Sequence, residues 1–148
     1  MKNINWLLVA GLMILGLPLT ACQRLVTTSK AESPAEVVRV EGSKLNRVTL
    51  TERAMQRIAL KTDQVREQLM SRSASLRKVV PYSSLIYDAH GETWVYISPQ
   101  PRTFVRHKVD VDYIEGDIAV LNDGPPVGTV VASVGVAELY GTDSGVGH

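Results

Sequence analysis

Apolar and polar positions change their period several times along this chain, and each change marks an element. Residues 4 to 17 are almost all apolar, broken only by Asn5 and glycines, and the run stops at Pro18. From Gln23 to Glu36 the chain is polar, contains Pro34 and has no sustained apolar period, the composition of a flexible tether. Val37-Val38-Arg39-Val40 begins a more apolar stretch that Gly42-Ser43 punctuates. Within Val48 to Ala59, the residues Leu50, Ala54 and Ile58 recur every four positions and predict a short helix with one narrow apolar stripe. Thr51 fits its N-cap, and Glu52 lies where the helix dipole favours a negative charge. So short a helix is marginal alone, so it must pack on a sheet.

Everything beyond Leu60 reads as extended. Leu76 to Val80 and Ser84 to Tyr87 flank Pro81, which suits an edge or a bend better than a central strand. Asp88-Ala89-His90-Gly91 is a turn, and Thr93 to Ser98 is a strand rich in aromatic and β-branched residues, which together predict a hairpin. Strands follow at Thr103 to Val109, Val111 to Ile114, Ile118 to Leu121 and Thr129 to Val134. Pro99-Gln100-Pro101, Gly116-Asp117 and Asn122 to Gly128 separate them. Strands at short, regular spacing predict a mainly β fold, a small antiparallel barrel or roll with one short N-terminal helix. Glu138 to Tyr140 adds at most a last helical turn. The expected organisation is a leader at 1–21, a tether at 22–40, the β domain at 41–141 and a loose tail at 142–148.

The leader has more to say. Met1-Lys2 supplies a small positive start, and the apolar run is shorter than the about 20 residues a membrane span needs. It ends in Leu19-Thr20-Ala21-Cys22, and Cys22 is the only cysteine in the chain. This ending resembles the lipobox of bacterial lipoproteins, in which the cysteine is acylated and becomes the mature N-terminus. Such a resemblance implies lipidation at Cys22, a periplasmic location and a membrane contact through the lipid. Two or more acyl chains, at roughly 0.8 kcal/mol per buried methylene, anchor stably. Gln23 follows the cysteine where the inner-membrane retention signal has Asp, so the sorting pattern points to the outer membrane.

Removing residues 1 to 21 removes Lys2 alone among charged residues, so 15 basic residues remain against 15 acidic ones. A neutral chain with one Phe offers neither an electrostatic footprint nor a stacking platform for nucleic acid. With no second cysteine, the fold must be held by burial of Val, Ile and Leu.

A specific resemblance rests on Val80-Pro81-Tyr82-Ser83-Ser84-Leu85-Ile86-Tyr87-Asp88 followed by Gly91 and Trp94-Val95-Tyr96. It continues through Phe104-Val105-Arg106, Val109, Gly116-Asp117, Gly128, Val130-Val131 and Gly135-Val136-Ala137-Glu138-Leu139. Upstream, Leu50-Thr51-Glu52 through Ile58-Ala59-Leu60-Lys61-Thr62 matches its opening. These pieces resemble the membrane-proximal region of periplasmic adaptor subunits (membrane fusion proteins) of resistance-nodulation-division efflux systems, the heavy-metal branch in particular. Full adaptors insert a barrel, lipoyl half-motifs and a helical hairpin where this chain has only Arg66 to Lys78. Thr129 also stands where the family has Asp. The resemblance implies a stripped-down adaptor that docks on an efflux pump's periplasmic domain or on a full-length adaptor. It also implies an inner-membrane partner, in tension with Gln23.

For contact with that partner, aromatic residues and arginine are the residue types enriched at interface hot spots, which singles out Trp94, Tyr96, Arg102 and Arg106. Core packing is the competing role for Trp94 and Tyr96. No catalytic pattern is present: Ser83 and Ser84 lack a nucleophile-elbow context, and Asp110, Asp112, Glu115 and Asp117 fit a solvated face that guards a sheet edge. The chain is therefore expected to be no enzyme and to need no cofactor. His90, His107 and His148 lack ligand spacing, and Met55 and Met70 are a thin set for a soft metal. A metal-ion or small-ligand binding lipoprotein, or a degenerate adaptor remnant, is the alternative reading.

Overall fold

The structure is a computed structural model that describes residues 33–146. The leader, Cys22, most of the tether and His148 lie outside the described residues. The strands are β1 (Ala35–Arg39), β2 (Asn46–Leu50), β3 (Lys61–Gln64), β4 (Arg66–Leu69), β5 (Leu76–Pro81) and β6 (Ile86–Tyr87). They continue as β7 (Thr93–Gln100), β8 (Thr103–Lys108), β9 (Asp110–Glu115), β10 (Ile118–Asp123) and β11 (Val130–Val134). Helix α1 (Glu52–Arg57) follows β2, and helix α2 (Val136–Ser144) follows β11.

Seven strands form one antiparallel sheet in the order β1-β2-β8-β7-β11-β3, with β6 added on β7. The second sheet is β4-β5-β10-β9. Two stretches of chain belong to both sheets. β3 runs into β4 across Val65, and β8 runs into β9 across Val109. Both crossing residues are buried, and their main chains stay bonded. The Val65 N–H donates to Thr129 C=O at 2.9 Å, and the Val109 N–H donates to Thr93 C=O at 3.0 Å. Pairing therefore runs in a circuit, but the ladder is divided at the crossings. The result is a two-sheet roll and not a closed barrel, and the expected mainly β class holds.

The two-residue alternation of strands sorts the apolar side chains into layers. Val80, Val95, Ala119, Leu121 and Val131 come from both sheets and fill the space between them, with Val65 and Val109. Val48, Leu50, Tyr96, Phe104 and Ala132 face the other way and pack under Ala54 of α1 and Val136 and Leu139 of α2. On the outer face of the second sheet, Val79 and Val120 are covered by Met70. Each buried aliphatic side chain contributes about 1.5–3 kcal/mol, so these layers supply the main stabilisation.

Helix α1 begins as its sequence dictates. Thr51 Oγ1 accepts the Ala54 N–H at 3.1 Å, with Glu52 in the first turn. Its end is less usual: the Leu60 N–H reaches Met55 C=O at 2.9 Å and the Ala59 N–H reaches Gln56 C=O at 3.1 Å. This closing pair of bonds puts a left-handed residue after the helix, normally glycine, and here that residue is Ala59 at φ 50°. Val48 to Leu50 belong to β2, so the helix is shorter than its stripe suggests, although Leu50, Ala54 and Ile58 still join one cluster.

Three boundaries differ from the sequence reading. The tether was expected to reach residue 40, but Ala35 to Arg39 already pair with β2. Of the edge or bend expected at Pro81, the structure has the bend: β5 is paired on both sides, and the proline sits at its last residue where a 3₁₀ turn over Tyr82–Ser84 begins. β7 runs through Pro99 to Gln100, and only Pro101-Arg102 makes the turn. The expected single helical turn at Glu138–Tyr140 is a helix to Ser144, so 142–144 are no loose tail. Gly135 makes that helix possible. Its φ is 76°, and a Cβ there would lie 2.8 Å from Ile58 C=O, so α1 and α2 meet at a point where only glycine fits.

Candidate docking surface

Alternation places Trp94, Tyr96 and Arg106 on the helix-covered face of the seven-stranded sheet. Tyr96 stands directly opposite Arg106 across the β7–β8 ladder, and Trp94 is one repeat away on the same strand. Above them α2 presents Asp143. The Tyr96 hydroxyl donates to Asp143 Oδ2 at 2.7 Å, and Arg106 Nε lies 2.7 Å from the same oxygen. The arginine contact is an ion pair whose N–H is not aligned for a hydrogen bond. Asn46 Nδ2 on β2 donates to Asp143 Oδ1 at 3.0 Å and to the Asp143 carbonyl at 3.1 Å. A buried carboxylate is costly unless charge and donors surround it. Here three side chains from three strands do so.

Burial, with the neighbouring Asp143 carboxylate next in weight, pushes the Tyr96 hydroxyl well above the usual tyrosine range. The Arg106 guanidinium also lies over the Trp94 ring at 5.4 Å and the Tyr140 ring at 5.8 Å. Trp94 is fixed from its other end, where its indole N–H donates to Asp88 Oδ2 at 3.0 Å. Desolvation acts to raise the Asp88 carboxyl, but hydrogen bonds from Glu92, Trp94 and His90 outweigh it and leave the group below its ordinary value.

These contacts correct the expected contact set. Tyr96 is 0% exposed and is a core residue, so it presents no surface to a partner. Arg106 keeps only 18% of its side chain exposed and is engaged by Asp143 and two rings. Trp94 is half-buried. Arg102 stands apart in the β7–β8 turn, exposed and at φ 62°, with its carbonyl accepting the Leu50 N–H at 2.9 Å. The four residues therefore do not form one patch.

Asp143 was missed because its partners are remote: Asn46 is 97 residues away. The available signal was Val136, Leu139 and Asp143 at helical spacing between Gly135 and Gly145.

The other candidate groups are dispersed. His90 is exposed in its turn, and His107 is half-buried opposite Val95. Met55 packs against the helix-side cluster while Met70 lies in the outer one. Among the described residues no three His, Cys, Asp or Glu side chains gather as a metal set. The acidic run lies on β9, an edge strand of its sheet. Asp112 pairs there with Arg77 at 2.8 Å, and Glu115 accepts from Ser71 Oγ at 2.6 Å. Exposed apolar surface is found elsewhere, at Leu69 and Leu76, which face each other near the β4–β5 turn, and at Val37 and Val38 on β1. Among the described residues no helix is long and apolar enough to cross a membrane. The chain matches no protein-family model and no curated protein sequence.

Proposed function

We propose that this is a lipid-anchored, non-catalytic protein of the bacterial envelope that associates, adaptor-like, with an efflux transport system. Cys22 carries the lipid and the domain beyond residue 33 carries the docking surface. The observation that carries this reading is the placement of the residues resembling the adaptor's membrane-proximal region. They fall in order on β2 to β3 and then, in separate pieces, from the end of β5 to α2, with Gly135 at the close approach of the two helices. With β1 starting at Ala35, a tether of about 12 residues reaches at most roughly 43 Å when extended, which keeps the domain near its bilayer.

The test is affinity purification of the full chain from its native membranes, alongside Cys22→Ser. The reading expects palmitate incorporation in the wild type only, and pump or adaptor subunits co-purifying with the wild type. Palmitate incorporation with no such subunit in the eluate would leave a lipoprotein but overturn the efflux association. Fractionation of the two membranes then reports whether Gln23 sorts the protein outward.

A further inference from the structure

The free side of β1 is built unlike the other edges of the roll. β9 carries Asp110, Asp112 and Glu115, and β3 and β4 offer Lys61, Asp63, Arg66 and Glu67, charged residues of the kind that discourage strand addition. β1 also carries charges, Glu36 and Arg39, but they flank two adjacent valines at its centre that are 42% and 49% exposed. The register shows which backbone groups point outward. The Thr51 N–H donates to Pro34 C=O at 3.0 Å and the Val40 N–H donates to Leu45 C=O at 2.9 Å, so even-numbered residues of β1 face β2. Ala35, Val37 and Arg39 therefore turn their amides away, and no described strand pairs with that side. Ser33 Oγ occupies the Ala35 carbonyl, which leaves Val37 as the central donor and acceptor of the open edge.

Beside this edge lies a groove of about 520 Å³ on the helix side of the sheet, lined by Ala35, Val37, Leu50, Ala54, Ile58 and Arg57 among others. Ala35 and Val37 pair with Leu50 and Val48, whose side chains belong to the helix-side cluster. A strand added along β1 would place alternate side chains, about 7 Å apart, over the same groove. Its walls are mostly apolar, with Ser33 and Thr142 as polar residues and Arg57 as the one charged residue, and Arg57 makes no ion pair with any described residue.

We infer that the β1 edge and its groove bind an extended peptide segment of a partner, with apolar side chains at alternate positions and a carboxylate that meets Arg57. Main-chain bonds to Val37 give the affinity, and the groove and Arg57 select the sequence. This deepens the docking reading above and rests on it only for the existence of a partner.

The test uses the full chain in detergent and a fluorescent nine-residue peptide that alternates valine with threonine and ends in aspartate. Val37→Pro removes the outward N–H without touching a bond to β2, a place where edge strands accept proline. Saturable binding is expected in the wild type, weakened at least about tenfold in Val37→Pro, the loss expected for main-chain hydrogen bonds left unmade. Arg57→Ala is expected to weaken it about two- to fivefold, with Arg57→Lys retaining most of the affinity. Val37→Lys, which keeps the backbone amide, is expected to reduce binding by filling the groove side. No saturable binding, or equal binding by Val37→Pro, overturns the inference. So does sedimentation showing that the wild type dimerises through β1 and excludes the peptide. Each of these outcomes leaves co-purification with efflux subunits free to succeed or fail by itself.

Discussion

β2 has two neighbours that are held in different ways. On one side of it α2 is fastened through Asn46, Tyr96 and Arg106, all converging on the buried Asp143. On the other side β1 is held by its ladder and by Ala35 packed against the helix-side cluster, with its other side chains exposed. The first arrangement fixes a helix whose sequence is a weak helix former, with Gly141 and Thr142 inside it. The second leaves an edge that can accept another strand without disturbing the core. The buried polar junction lies at the helix-covered face, and the docking account puts recognition at the edge.

The strongest way to break that contrast is Asp143→Ala. It strands a half-buried arginine and a buried hydroxyl, and should cost about 3–5 kcal/mol in urea unfolding. Asp143→Asn, which keeps an acceptor, should cost less. If Asp143→Ala unfolds at the wild-type midpoint, α2 is held by its apolar residues alone.

Alkaline pH probes the same junction. The Tyr96 pKa is raised in the folded state, so its contribution is complete below the unfolded tyrosine value of about 10 and is lost as pH rises above that. Between about pH 10 and 11 the wild type should lose up to about 1.4 kcal/mol per unit more than Tyr96→Phe. Parallel pH profiles of the two proteins would separate Tyr96 from its burial.

Ala59→Gly relieves a left-handed alanine at the end of α1, and should stabilise by about 0.5–1 kcal/mol in the same unfolding assay. The smallest expected effect on stability belongs to Val37→Lys on the open edge, within about 0.5 kcal/mol of the wild type. A large loss there would mean that β1 is a structural strand and not a docking edge.

Much of this architecture is legible in local sequence. Thr51 and Glu52 start α1, Gly116-Asp117 closes the β9–β10 hairpin, and Asp88 organises the turn before β7 through its own backbone neighbours. What escaped reading depends on contacts between distant residues. Ala35 to Arg39 look like tether until β2 is there to pair with them. α2 looks like a tail because its stripe ends in an aspartate whose partners lie on β2, β7 and β8. Tyr96 looks like an interface aromatic for the same reason, since its hydroxyl is committed to a residue 47 positions away.

The contrast between the two sides of β2 can be tested in cells by placing a photo-crosslinking residue at Val37 or, in a second strain, at the exposed Glu138 on α2. Both positions keep the Cys22 anchor and the core. The docking account predicts crosslinks from Val37 to an efflux pump or adaptor subunit and none from Glu138. Crosslinks to such a subunit from Glu138 alone, or from neither position, would contradict it.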